Sequence, residues 1–313
     1  MNYSVVNASA PHANHSAEDC SLPIANGVAL ITANAMVCLL GTLGNLLVCG
    51  AVVTNPRLRR SSNYLLFSLA IADLIVTMIC EPLFLAILGK KTFFNDCAMN
   101  LERPYQILSM LSCAASISHM ASISVDRYIA VVFPLHHHYI MKRYGLKIML
   151  VTSWVAPIAV PSINRFVPKA FPGKQFLSLS IFAVGYLVVF VCYSLIVISL
   201  VRHGKMRRQL TSTGANSRVE VRVAVTLAIV IAVFTASWFP LIVAFMSTGK
   251  VIVKRYGTAF MWVRTLALSN SAVNFLIYGS RMQSFREGFA AVCRKIVGFL
   301  RQKFSRTVTY NVN

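Results

Sequence analysis

The stretch Ile107-Leu108-Ser109-Met110-Leu111-Ser112-Cys113-Ala114-Ala115-Ser116-Ile117-Ser118-His119-Met120-Ala121-Ser122-Ile123-Ser124-Val125-Asp126-Arg127-Tyr128 decides how the chain is read. It is a long apolar and small-residue run that closes on an adjacent acid and arginine. A run of this length crosses about 30 Å of hydrocarbon as a helix. A charged pair at the mouth of such a segment is costly, and such residues mark function more often than packing. Reading outward from it, 57% of the 313 residues are apolar and 12% are charged. A soluble domain is about 25% charged, so this chain is built for lipid. The formal net charge is +21. The basic residues fall in short runs between apolar blocks, which suits an anionic leaflet and excludes nucleic acid as the partner.

Seven apolar blocks are expected to span the membrane: Ile24–Thr54, Tyr64–Leu88, Ala98–Phe133, Ile148–Ile163, Gln175–Val201, Val223–Ser247 and Tyr256–Gly279. The polar start, residues 1–23, shows no basic segment followed by an apolar core, so no cleaved leader is expected. It carries the glycosylation acceptor patterns at Asn2, Asn7 and Asn14, which suits an extracellular end. An odd number of spans then puts residues 280–313 in the cytoplasm. Lysine and arginine agree: 20 lie in the proposed inner segments against 10 in the outer ones, as the positive-inside rule requires. The architecture expected is an all-α membrane protein, a seven-transmembrane helix bundle over 24–279. A short amphipathic eighth helix follows it, with Cys293 as an S-palmitoylation candidate or a bare thiol.

The residues Gly44-Asn45, Asp73, Asp126-Arg127-Tyr128, Trp154, Tyr193, Trp238 with Pro240, and Asn274 with Tyr278 each fall in a different span. In this order the sequence resembles the rhodopsin-like family of G-protein-coupled receptors from Gly44 to about Cys293. The resemblance implies a plasma-membrane receptor for an extracellular ligand. Its partners would be a cytoplasmic heterotrimeric G protein, with arrestin and a receptor kinase as further ones, and membrane lipids around it. It implies no enzyme activity. There are departures. Asn274 stands before Phe275 rather than a proline, Gly185 replaces the fifth-span proline, and Glu102 replaces the third-span cysteine. The family's usual outer disulfide therefore cannot form, leaving Cys20 and Cys97 as a candidate pair.

The resemblance also implies three constellations. The cytoplasmic switch is Asp126, Arg127, Tyr128, Tyr193 and Tyr278, with Glu220 as a restraint on Arg127 or else as a solvated charge. Its pivot lies at Phe234, Trp238 and Pro240, the proline removing a backbone hydrogen bond. The second is a sodium site of Asp73, Asn45, Ser116, Asn270, Ser271 and Asn274. A lone buried carboxylate needs a cation, a proton or several donors, and the last two remain alternatives. The third is an outer ligand pocket of Ser109, Met110, Cys113, Leu241, Ile242, Phe245, Arg264 and Leu268. Ser109 stands where amine receptors carry an aspartate, so a non-aminergic ligand (lipid, peptide or small acid) is expected. Leu268 stands where visual pigments carry their retinal-linking lysine. Arg264 is either a ligand's anion partner or the partner of Glu81. His119 reads as an interhelical hydrogen-bonding residue and His136-His137-His138 as a cytoplasmic loop. The rival readings are a seven-helix transporter or light-driven pump, and a constitutively active receptor without its own ligand. Spans one, four, five and six lack the charges an ion path needs.

Overall fold

In the computed structural model, residues 20–166, 168, 174–207, 214–246 and 257–310 are described. They form α1 (Ile24–Thr54), α2 (Ser61–Phe93), α3 (Met99–Val132), α4 (Leu146–Phe166), α5 (Lys174–Arg207), α6 (Gly214–Met246), α7 (Gly257–Arg281) and α8 (Gln283–Tyr310). A short helix, Pro134–Ile140, leads into α4. The helices exceed the expected spans at several ends because hydropathy marks the part in hydrocarbon, whereas the helix continues into the interface. Six of the helices are long and apolar enough to cross a membrane. The seventh, α7, has the length, 25 residues, but its interior face carries Arg264, Asn270, Ser271 and Asn274, which lower its mean hydropathy.

The bundle is apolar outside and polar inside. Leu39, Leu43 and Leu46 of α1 and Val184, Leu187 and Val191 of α5 are exposed at helical spacing, as lipid-facing residues are. Asn34, Asn45, Asp73, Glu81, His119, Arg264 and Asn274 are buried. α3 sits at the centre, packed against α2, α4, α5 and α6, while α1 packs on α2, α7 and α8.

Hydrogen bonds between helices hold this arrangement, each worth about 0.6 kcal/mol on average in a membrane. Asn34 Nδ2 donates to Thr265 Oγ1 at 2.9 Å, and Asn45 Nδ2 to the Ser271 carbonyl at 2.9 Å, both joining α1 to α7. The expected role of His119 takes a definite form. Its Nδ1 faces the Ala115 carbonyl at 2.8 Å and its Nε2 faces Ser68 Oγ at 2.9 Å, while Trp154 Nε1 donates to that same oxygen at 2.9 Å. A carbonyl only accepts, so Nδ1 carries the hydrogen and Ser68 donates to Nε2. One directed chain thus joins α4, α2 and α3.

α2 is not a uniform helix. Residues Val76–Cys80 form a π segment, followed by Glu81 and Pro82 at the start of the next α-helical stretch. Within this continuous helix Pro82 cannot donate to the preceding turn, and the Thr77 carbonyl of that turn accepts from Cys38 Sγ at 3.1 Å. α1 and α7 approach closely at Gly44, where an added Cβ meets the ring of Phe275. The residue that replaces the family's proline therefore packs into the space the glycine leaves. Outside the bundle, Cys20 and Cys97 are disulfide-bonded with Cα atoms 5.1 Å apart, and Leu22 N–H donates to the Lys91 carbonyl. Together they tie the residues before α1 to the loop entering α3. That loop turns through left-handed Asn95 (φ 49°) and Ala98 (φ 54°). Lys90 Nζ contacts Asp96 at 2.7 Å, and the Ala98 N–H donates to the other oxygen of Asp96 at 2.8 Å.

The helix after the bundle is longer than the short one expected, 28 residues. Phe285 and Gly288 are buried on α1 and the 56–58 turn, while Arg286, Glu287, Arg294 and Lys295 are exposed. Cys293 is exposed on it.

Candidate functional site

At one mouth of the bundle, Arg127 is 4% exposed and Asp126 1% exposed. Arg127 Nε donates to Asp126 Oδ2 at 2.9 Å, and its Nη2 donates to the same carboxylate and to Ser62 Oγ at the start of α2. The second carboxylate oxygen faces His137 Nε2 at 2.9 Å, from the short helix after α3. Local sequence explains the placement: Pro134 starts a new helix after the α3 C-terminus at Val132. The chain folds back so that His137 lies over the carboxylate eleven residues earlier. The charged pair is thus closed into a chain, His137–Asp126–Arg127–Ser62. Ser62 carried no sequence signal, and His137 was masked by the reading of its triplet as a loop.

The other switch residues occupy expected elements. Tyr128 meets Phe133 edge-on with ring centroids 5.9 Å apart. Tyr193 lies half-buried on α5. Tyr278 is buried, its ring 5.6 Å from Phe285 of α8 and its hydroxyl without a hydrogen-bond partner. Glu220 lies in α6, but its side chain falls outside the described residues. The residues expected as the pivot lie together: Phe234 stands 6.0 Å from Trp238 and 6.4 Å from Tyr186 of α5, and Pro240 sits within α6 two residues after Trp238.

Deeper in the bundle, Asp73 is fully buried and accepts from Asn274 Nδ2 at 2.7 Å through one oxygen. Among the described residues its other oxygen, Oδ1, shows no hydrogen bond, and neither do the side-chain oxygens of Asn45, Asn270 and Asn274. Asn45 instead spends its N–H groups on the Gly41 and Ser271 carbonyls. Ser116, Asn270 and Ser271 are buried around the same region. Hard oxygens of this kind beside a carboxylate are the donor type that hard cations take. Among the described residues no cluster of His, Cys, Asp and Glu suits a transition metal.

The opposite mouth of the bundle corrects one expectation. Arg264 does not pair with Glu81; it pairs with Glu102, bidentately, at 3.1 and 3.0 Å. Three rings surround the guanidinium, with Phe260, Tyr105 and Phe84 centroids 4.8, 5.0 and 5.9 Å from Cζ. The reason is geometric, since Glu102 enters from the first turn of α3 where a cysteine was expected, and its oxygens match the guanidinium fork. Glu102 also stands 3.8 Å from Lys91. Glu81 is fully buried, and among the described residues neither of its oxygens is hydrogen-bonded. Of the expected pocket, Cys113, Leu241 and Leu268 are buried, Ser109 and Ile242 are half-buried, and Met110 is exposed on α3. The side chain of Phe245 lies outside the described residues, as do Asn2, Asn7 and Asn14.

The helical bundle thus has a polar interior, a buried Asp126–Arg127 pair at one mouth and an aromatic-lined Arg264–Glu102 pair at the other. The sequence profile of the 7 transmembrane receptor (rhodopsin family) matches residues 44–278, and the chain belongs to that family. It is 29% identical to the human histamine H2 receptor over 281 residues, covering 82% of this chain and 76% of that one. It is 25% identical to mouse melanocortin receptor 5 (83% and 86% covered) and 27% identical to human adenosine receptor A2a (90% and 76%). Squid rhodopsin superposes with a TM-score of 0.71 at 20% identity, over 88% of each chain.

Proposed function

We propose that this receptor sits in the plasma membrane with residues 1–23 outside, binds an extracellular ligand, and activates a heterotrimeric G protein at its cytoplasmic face. The observation that carries this reading is the arginine lock. A buried guanidinium that donates to its neighbouring carboxylate and to Ser62 is under restraint, and a shift of α2 weakens that restraint. Release frees Arg127 to face a cytoplasmic partner, and the Phe234–Trp238–Pro240 stack is where α6 hinges. Coupling of this kind is reciprocal, so G protein bound below raises agonist affinity above. The test is GDP–GTP exchange on purified G proteins added to receptor in nanodiscs, screened against lipids and peptides. Exchange no faster than with empty nanodiscs across the G-protein classes sinks the reading.

Two finer proposals follow. The ligand is non-aminergic, a lipid or a peptide rather than a small acid. Arg264 is already neutralised by Glu102, and Ser109 offers no counter-ion at the amine position. A second reading is favoured by Glu81, whose bare carboxylate inside the bundle suits a cationic ligand group. The relatives include a histamine and a 5-hydroxytryptamine receptor. Amine-driven exchange that vanishes in Glu81→Gln would select it. Sodium is the allosteric ion, held by Asp73 with the free oxygens of Asn45, Asn270 and Asn274 and the hydroxyls of Ser116 and Ser271. Titrating Na⁺ against N-methylglucamine at fixed ionic strength should raise the melting temperature of wild type and leave Asp73→Asn unmoved. Equal responses overturn the assignment. Arrestin and kinase partnership, glycosylation at Asn2, Asn7 and Asn14, and palmitoylation of Cys293 complete the proposal.

A further inference from the structure

At the end of the bundle that carries the arginine lock, a cavity of about 210 Å³ opens between α1 and α2, lined by Val52, Val53, Arg59, Tyr64 and Phe67. It lies on the outside of the bundle, on the lipid side. Val53 is 57% exposed and Tyr64 37% exposed, and Arg59 is exposed at the rim. The guanidinium is fixed there. Its Nη2 donates to the Val53 carbonyl at 2.7 Å, at the C-terminal end of α1, where the last helical carbonyls lack intrahelical partners. That bond uses one N–H of the guanidinium's five. The segment from Pro56 to Asn63 carries Arg57, Arg59 and Arg60 and no acid. A cavity of this volume accommodates a stretch of acyl chain.

From this geometry we infer that the groove is a binding site for one anionic phospholipid. Its phosphate sits on the Arg59 guanidinium within reach of the Tyr64 hydroxyl, and its chain lies along Val52, Val53 and Phe67. The charge selects the headgroup, since a zwitterionic lipid brings a choline that gains nothing from three arginines. The apolar lining selects a lipid over a free phosphate. The site involves neither the arginine lock nor G-protein coupling, so it stands or falls independently of the signalling reading.

The test is native mass spectrometry of the full-length receptor, delipidated in detergent and offered equimolar phosphatidylserine and phosphatidylcholine with identical chains. Wild type should retain the serine lipid over the choline lipid. Arg59→Gln should lower that ratio about fivefold, one basic residue near the surface contributing about 1 kcal/mol. Val53→Trp, which fills the groove and leaves the arginine, should lower retention of both lipids. An unchanged ratio in Arg59→Gln overturns the proposal, as does unchanged retention in Val53→Trp with its melting temperature preserved. Competition by soluble glycerophosphoserine as effective as that by whole lipid also overturns it, by showing a headgroup site alone.

Discussion

Replacing Glu102 with alanine strands Arg264 inside the bundle. The arginine side chain is 6% exposed and the carboxylate it loses 16% exposed, so water compensates little. Breaking one partner of a buried pair costs about 3–5 kcal/mol. The three rings around the guanidinium stay in place, and their contribution of about 0.5–2 kcal/mol each is present before and after. The slight exposure of Glu102 sets the expected loss at the lower end, about 3 kcal/mol. Removing both charges in Glu102→Leu with Arg264→Met should recover most of it, because an apolar pair of similar volume is near neutral at such sites. Charge reversal sharpens the assignment: R264E should be rescued by E102R and not by E81R. The assay is thermal unfolding of purified receptor in nanodiscs, followed by tryptophan emission, with disulfide formation checked in each variant. Wild-type melting of Glu102→Ala, or rescue of R264E by E81R equal to that by E102R, would falsify the pairing.

Other outcomes follow from the same contacts. His137→Ala and Ser62→Ala each remove one hydrogen bond from the arginine lock, about 1 kcal/mol. Each should raise ligand-independent exchange about fivefold at matched surface expression, and unchanged basal exchange in both would show that the lock is held elsewhere. Gly44→Ala forces a methyl into the Phe275 ring and should cost about 1–3 kcal/mol of overpacking. Adding Phe275→Ala should restore melting, and failure to do so would place the strain outside that contact. In the loop before α3, the hydrogen bond from Lys90, then the Ala98 N–H, hold the exposed Asp96 carboxyl below its usual range. The linkage sign for a depressed acid is that its stabilisation is present above the ordinary carboxylate range and lost as pH falls through the lowered value. The protection factor of the Ala98 amide, its exchange relative to the intrinsic rate at each pH, should therefore fall only in acid below the ordinary carboxylate range, and loss of protection at neutral pH would contradict it.

Periodicity and hydropathy mark the spans because lipid imposes one rule on all of them: each must bury its backbone hydrogen bonds in a helix of sufficient length. Asp126, Arg127, Asp73 and Asn274 were legible as a site because each is a polar residue in a segment with no other reason to carry one. Partners were not legible. Glu102 and Arg264 are 162 residues apart, and Ser62 and Arg127 65 apart, with no local pattern to join them. Glu81 was the plausible mate of Arg264 on charge alone, and only the orientation of two helices decides against it. The disulfide was half-legible, since elimination left Cys20 and Cys97 but only the loop geometry brings them together. His137 is the plainest miss, a residue read as loop whose ring closes the lock.

The π segment of α2 has a consequence for how this chain is compared with others. Hydrogen bonds there close to the fifth residue rather than the fourth, which absorbs one additional residue without lengthening the helix by a turn. Each residue of an α-helix advances about 100°, so everything from Glu81 to Phe93 is out of phase with the Asp73 face by that rotation. Phe84, whose ring centroid lies 5.9 Å from Arg264 Cζ, is in this part of the helix. A receptor whose second helix lacks the bulge therefore matches this one in step up to Val76 and one position out of step beyond Cys80. Any inference transferred across that point by counting residues lands on the wrong side of the helix.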